Sequence, residues 1–219
     1  MARIAVVGGH GKVALQLHPL LVAAGHRPVA LVRSDGYRAE LEALGADVRL
    51  LDIEHATVDD FAEALGDCEA VVFAAGGGPD GNIGRKRSVD LGGSLKSIDA
   101  AKVVGIRRFV QVSAIKVDVP VADDASPVWR AYVDAKRQAD EALRASDLDW
   151  TILRPGALTD DAGTGRVTLA AEVDRAPIPR ADVAAVVVAV IDDDATIGGQ
   201  WELVSGDDPI TEALATATA

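Results

Sequence analysis

The sequence predicts a doubly wound α/β fold, a mostly parallel sheet of about seven strands with helices on both faces. Three observations point to it. Short runs rich in Val, Ile and Leu alternate with longer stretches of helical period, the pattern of parallel strands joined by crossover helices. The apolar runs show little in-and-out alternation, which suits strands covered on both faces. A glycine-rich turn follows directly on the first of these runs.

The first strand is Arg3 to Val7, and the first helical pattern runs from Lys12 to Ala24. Pro19 lies inside that pattern, where a lost hydrogen bond predicts a kink costing roughly 3 kcal/mol. Further strands are expected at Val29 to Val32, Asp47 to Leu51, Ala70 to Ala74, Arg108 to Val112 and Trp150 to Leu153. Helices fall between them at Tyr37 to Leu44, Val58 to Leu65, Ser88 to Val104 and Val128 to Ala145. A last helix, Arg180 to Ile191, precedes a last strand, Gln200 to Val204. No repeat and no Pro/Ser-rich linker divides the chain, so residues 1–219 read as one domain, with a small substrate-side portion at about 157–180. The Ala-Thr-Ala-Thr-Ala terminus is expected to fray from about residue 212.

Composition narrows the function. Hydrophobic residues make up 49% and charged residues 26%, the balance of a packed globular chain. A formal net charge of -12 argues against a surface built to neutralise nucleic-acid phosphates or anionic lipid, so neither is expected as a partner. Cys68 is the single cysteine; it is too few for a cysteine-based metal site and suits a reducing cytoplasm. Met1 to Val7 lacks the features of a signal peptide, and no apolar run reaches the roughly 18 to 20 residues that span a bilayer.

The segment Gly8-Gly9-His10-Gly11-Lys12-Val13-Ala14 places a G-x-x-G-x-x-A turn between a strand and a helix. Gly8 permits the tight turn, Gly11 lets the backbone approach a pyrophosphate, and Ala14 lets helix and strand pack closely. The helix start then offers unpaired N–H groups and a positive dipole to phosphates. His10 touches a phosphate or simply sits on the turn surface. In dinucleotide sites of this kind, a carboxylate about 20 residues on binds the ribose of NAD. Here the second strand ends in Leu31-Val32-Arg33-Ser34, and the guanidinium of Arg33 suits the 2′-phosphate of NADP, although a plain surface arginine accounts for it too. NADP is therefore expected over NAD. Lys12 adds charge near the phosphates or is a solvated lysine. Asp52, with Ile53 after it, ends the third strand where a side chain can reach an adenine amino group; a helix-start role is the alternative. Ala74, Ala75 and Gly76 supply small residues where the chain passes under a ribose.

Taken together, G-G-H-G-K-V-A, L-V-R, F-A-A-G, R-F-V-Q-V-S, A-Y-V-D-A-K and L-R-P-G-A-L follow the order of the short-chain dehydrogenase/reductase superfamily. The chain most closely resembles the atypical NAD(P)H-binding branch of that superfamily, the NAD-dependent epimerase/dehydratase type, from Arg3 to about Gly206. The resemblance implies a Rossmann fold and a constellation in which Tyr132 is the general acid or base, Lys136 lowers its pKa and holds the nicotinamide ribose, and Ser113 orients substrate. Tyr132 and Lys136, four apart on a helix, share one face, and a nearby ammonium favours the phenolate. Asp90 stands where the superfamily's relay carries an asparagine. Pro155 and Gly156 resemble the segment beside the nicotinamide. Pocket walls are expected from Gly77 to Arg87, Val117 to Pro127 and Leu158 to Pro179. Arg85, Lys86 and Arg87 either close over an anionic substrate or form a solvated basic loop. The expected activity is an oxidoreductase or epimerase acting on a small carbonyl or alcohol. A redox-sensing module acting through a protein partner, and a flavin or quinone reductase needing no tyrosine acid, are the alternatives.

Overall fold

The computed structural model describes residues 1–78 and 81–219; Pro79 and Asp80, within the expected pocket loop, lie outside the described residues. The described residues form eleven strands: β1 (Arg3–Val7), β2 (Arg27–Val32), β3 (Asp47–Leu50), β4 (Ala70–Phe73), β5 (Arg108–Val112), β6 (Asp149–Pro155), β7 (Ala157–Thr159), β8 (Arg166–Ala170), β9 (Pro177–Pro179), β10 (Gly199–Ser205) and β11 (Asp208–Pro209). The helices are α1 (Lys12–Ala23), α2 (Arg38–Ala43), α3 (Val58–Leu65), α4 (Ile83–Arg85), α5 (Gly92–Val104), α6 (Pro127–Arg144), α7 (Arg180–Ile191) and α8 (Ile210–Ala217).

Nine strands form the main sheet in the order β11-β8-β10-β6-β5-β4-β1-β2-β3. From β10 to β3 every pairing is parallel, and these seven are the strands expected from the apolar runs. The expected count of seven falls short by β8 and β11, which pair antiparallel along one edge. β7 and β9 make a separate two-stranded sheet.

The sidedness of the sheet can be read from β1. Ile4 and Val6 pack against Leu17 and Leu21 of α1 and Val183, Val187 and Val190 of α7, while Ala5 and Val7 join Phe61, Leu65, Ile98 and Leu143 on the other face. Chain order reverses between β1 and β4, so the crossovers depart in opposite directions and leave a crevice at the strand C-termini. That crevice is where the site lies.

Local signals explain most element ends. A capping box starts α3, with Thr57 accepting from the Asp60 N–H while Asp60 accepts from the Thr57 N–H. Ser126 caps α6 ahead of Pro127, which has no N–H to lose in a first turn. The α1 helix continues through Pro19 to Ala23, with the ring on its exposed side.

The C-terminus departs from expectation. Rather than fraying, Ile210–Ala217 is helical, with Ala213 and Leu214 buried against the α1/α7 side of the core. Ile210, Ala213, Leu214 and Ala217 recur at i, i+3, i+4 and i+7, an apolar stripe hidden in an Ala-Thr run. Truncating Leu214 to Ala should therefore cost about 2 to 4 kcal/mol in urea unfolding, as for other buried leucines; a frayed tail would give no change.

Candidate functional site

The turn between β1 and α1 begins with Gly8 at φ +83, a left-handed conformation costly to any side chain, and a Cβ there would lie 2.7 Å from the Ala75 backbone. Gly11 is the N-cap of α1 and supplies no side-chain cap, so the first N–H groups of the helix face outward without a protein acceptor among the described residues. The buried His18, two turns into α1, bonds the Gly9 carbonyl through Nε2 at 2.7 Å and so ties the helix back to the turn. Burial holds its imidazole below the usual value.

A groove of about 230 Å³ opens here, lined by Gly8, His10, Gly11, Arg33, Tyr37 and the Ala74–Gly76 segment among others. His10 stacks on Tyr37 with ring centroids 3.7 Å apart and bonds Glu40 at 2.8 Å. Arg33 is exposed and has no carboxylate partner among the described residues, whereas the neighbouring Asp35 is engaged with Arg38 at 2.8 Å. Four candidate binders have side-chain contacts within the protein. Lys12 pairs with Asp160 at 2.6 Å, and the Val13 side chain is core. Asp52 accepts from the Glu54 N–H and pairs with His55 in a turn ahead of α3, whose cap is Thr57 rather than Asp52, and Ile53 packs on the core beside Gly93.

Two residues beyond Gly76, Gly78 lines a second cavity, of about 540 Å³, with Ser113, Tyr132, Pro155 and Gly156. Ser113 reaches it from the end of β5 and Tyr132 from the first turns of α6. One turn further along α6, Lys136 is buried, its Nζ donating to the Val112 carbonyl at 3.2 Å and the Ala75 carbonyl at 3.4 Å. Asp90 Oδ1 lies 3.6 Å from that ammonium, and Oδ2 accepts from the Gly77 N–H at 2.8 Å. A π-helical turn, Lys86–Leu91, carries Asp90; such turns frequently mark functional sites. Asp90 therefore holds the β4 loop and neutralises Lys136.

The expected depression of the Tyr132 pKa is not what the geometry produces. Burial pushes the phenol above its ordinary value, and the Lys136 charge opposes this only in part. Tyr132 is thus a phenol, not a phenolate, through neutral pH.

Sequence reasoning missed Asp140, the next residue on the same helical face after Tyr132 and Lys136. Fully buried, it accepts from Gln111 Nε2 at 2.7 Å, Ser113 Oγ at 2.9 Å and Arg154 Nε at 2.8 Å. Burial raises its pKa, opposed by those donors. Arg154 also reaches Asp118 at 2.6 Å. Continuing the four-residue spacing once more would have found it. Because the Ser113 hydrogen points at Asp140, the Ser113 oxygen is left to accept from a donor. Glu202 accepts from the backbone N–H groups of Lys116 and Val173 and so joins the segments that follow β5 and β8. At Gly156 a Cβ would lie 2.0 Å from the Ala176 carbonyl, so glycine is needed for the β7–β9 crossing itself.

A seven-strand parallel core, a helix start aimed at a groove and a Ser-Tyr-Lys set at adjoining strand ends together define a Rossmann-type nucleotide-binding protein. The chain belongs to the NAD(P)H-binding family, whose model matches residues 8–194, in keeping with the atypical short-chain dehydrogenase/reductase branch. It is 36% identical over 213 residues to a Bacillus subtilis protein named as an uncharacterized sugar epimerase, YhfK, covering 97% of this chain and 98% of the other. Among solved structures, a Bacillus halodurans protein assigned as an NAD-dependent epimerase/dehydratase superposes with TM-score 0.92 at 38% identity, over 99% of this chain and 100% of that one. The Lactococcus lactis oxidoreductase YlbE gives TM-score 0.84 at 28% identity, over 98% and 95%. No helix among the described residues is long and apolar enough to cross a membrane.

Two outcomes test this geometry. Asp140→Ala leaves Arg154 Nε, Gln111 Nε2 and Ser113 Oγ without their shared buried acceptor, while Arg154 keeps Asp118, and should cost about 1 to 3 kcal/mol in urea unfolding, with Ser113→Ala costing less. Because the folded pKa of His18 is depressed, its contribution to stability is complete above the ordinary value near 6.5 and is lost as pH falls through the folded value. His18→Gln, whose amide reaches the position of Nε2 and can still donate to Gly9, should lose less stability than the parent between pH 7 and pH 5 in thermal unfolding.

Proposed function

We propose that this chain is an NADP-dependent oxidoreductase that reduces a small carbonyl compound, with Tyr132 as the proton donor. The observation that carries the reading is the half-buried Tyr132, which lines with Ser113 a cavity that adjoins the phosphate groove.

The residues fit a dinucleotide. The uncapped start of α1 and the Gly8–Gly11 turn suit the pyrophosphate. Arg33, with no carboxylate partner among the described residues, suits the 2′-phosphate, and Asp35 cannot substitute as a ribose acceptor while Arg38 holds it. Lys136 suits the nicotinamide-side ribose, and Pro155 and Gly156 line the cavity beyond it. When bound, the reduced cofactor supplies a hydride to the carbonyl carbon.

Tyr132 then donates its phenolic proton to the carbonyl oxygen. The Lys136 ammonium stabilises the phenolate so formed, at the moment when burial alone would oppose it. Ser113, its hydrogen committed to Asp140, accepts from the hydroxyl of the alcohol product and orients it. Asp90 keeps the Gly77 backbone and Lys136 in place.

Arg33→Gln should weaken NADPH binding about tenfold to a hundredfold, the worth of a charge-assisted hydrogen bond, and leave NADH binding unchanged. Isothermal titration with both cofactors reads this directly. In an NADPH-oxidation assay over a panel of aldehydes and ketones, Tyr132→Phe should lower kcat by about a hundredfold or more with little change in NADPH affinity. Unchanged turnover would remove Tyr132 from the mechanism.

A further inference from the structure

The cavity above Tyr132 has an uneven charge. The chain carries 34 acidic and 22 basic residues, yet the described residues lining this cavity include Lys86, Arg175 and Arg180 and no Asp or Glu. Lys86 belongs to the Arg85-Lys86-Arg87 run, for which a solvated basic loop is one sequence reading; instead the π-helical turn carries it inward, to 7% exposure. Its Nζ donates to the Gly78 carbonyl and lies 5.5 Å from the Tyr132 ring centroid. No carboxylate pairs with it among the described residues. Arg175, which lines the same cavity, likewise has no acidic partner among them, whereas Arg180 is held by Asp160 at 2.6 Å.

An ammonium buried without a carboxylate partner among the described residues is costly to maintain, and the cost is recovered when an anion enters. The geometry points to an anion subsite formed by Lys86 and Arg175, so that the substrate is a carbonyl compound bearing a carboxylate or phosphate. Trp129, tilted against Tyr132 with centroids 5.4 Å apart, and Leu158 give the same cavity an apolar wall for the body of that substrate. This inference deepens the proposed function and rests on its choice of cavity. The subsite is separate from the phosphate groove at Arg33, so substrate anion and cofactor phosphates are read by different cations.

The test is a thermal-shift titration of the NADPH-saturated protein with benzoate, phenyl phosphate and neutral benzamide at constant ionic strength. At least one anion should bind about tenfold more tightly than benzamide. Benzoate leading marks a carboxylate substrate; phenyl phosphate leading marks a phosphate ester. Lys86→Gln or Arg175→Gln should cut the preference to about threefold or less. Arg175 is exposed, so its variant keeps the test open if Lys86→Gln does not fold. Equal binding of charged and neutral probes, no anion binding at millimolar concentration, or an undiminished preference in both variants overturns the subsite. The stabilisation by NADPH alone is read separately: its absence sinks the cofactor reading, and the anion preference is then scored on the free protein.

Discussion

The buried ammonium of Lys136 is the interaction on which the site depends. It joins four segments that the chain order keeps apart: α6, which carries it, the ends of β4 and β5 through the Ala75 and Val112 carbonyls, and the π-helical turn through Asp90. Asp90 in turn fixes Gly77, and the loop from Gly76 to Gly78 separates the phosphate groove from the cavity over Tyr132. A buried pair of this kind contributes little to stability once desolvation is counted. Its effect is positional: it sets where the two halves of the site stand relative to one another.

A second buried charge system lies one helical turn deeper. Asp140 collects donors from Gln111, Ser113 and Arg154, and Gln111 in turn accepts from Ser94. Tyr132, Lys136 and Asp140 thus form a single stripe on α6 that runs from the cavity to the interior. Their roles divide along that stripe. Tyr132 lines the cavity, Lys136 meets Asp90 and the strand-end carbonyls, and Asp140 orients the serine. An aspartate at position 90 fits this arrangement, because a carboxylate there can both neutralise Lys136 and hold a loop.

Much of this was legible in the sequence, for physical reasons. Strands buried on both faces leave continuous apolar runs, so the seven parallel strands stood out, as did the glycine turn whose φ at Gly8 excludes a side chain. Two short edge strands, β8 and β11, did not, since a half-exposed edge carries no such run. The last helix was missed because alanine and threonine hide an apolar stripe of modest hydrophobicity. Within the site, spacing placed Tyr132 beside Lys136 but carried no information about desolvation, which decides the protonation of the phenol. The charge run at 85–87 concealed that one residue of the three faces inward, because a single inserted residue in a helical turn is invisible to periodicity.

Whether binding and chemistry are joined in the proposed way comes down to where the cofactor lies. A crystal structure of the NADPH complex tests it most directly. The predicted result has the 2′-phosphate within hydrogen-bonding distance of Arg33, the pyrophosphate at the start of α1, and the nicotinamide facing Tyr132 and Ser113 with open volume beyond. A nicotinamide ring turned away from Tyr132, or a 2′-phosphate remote from Arg33, would contradict it.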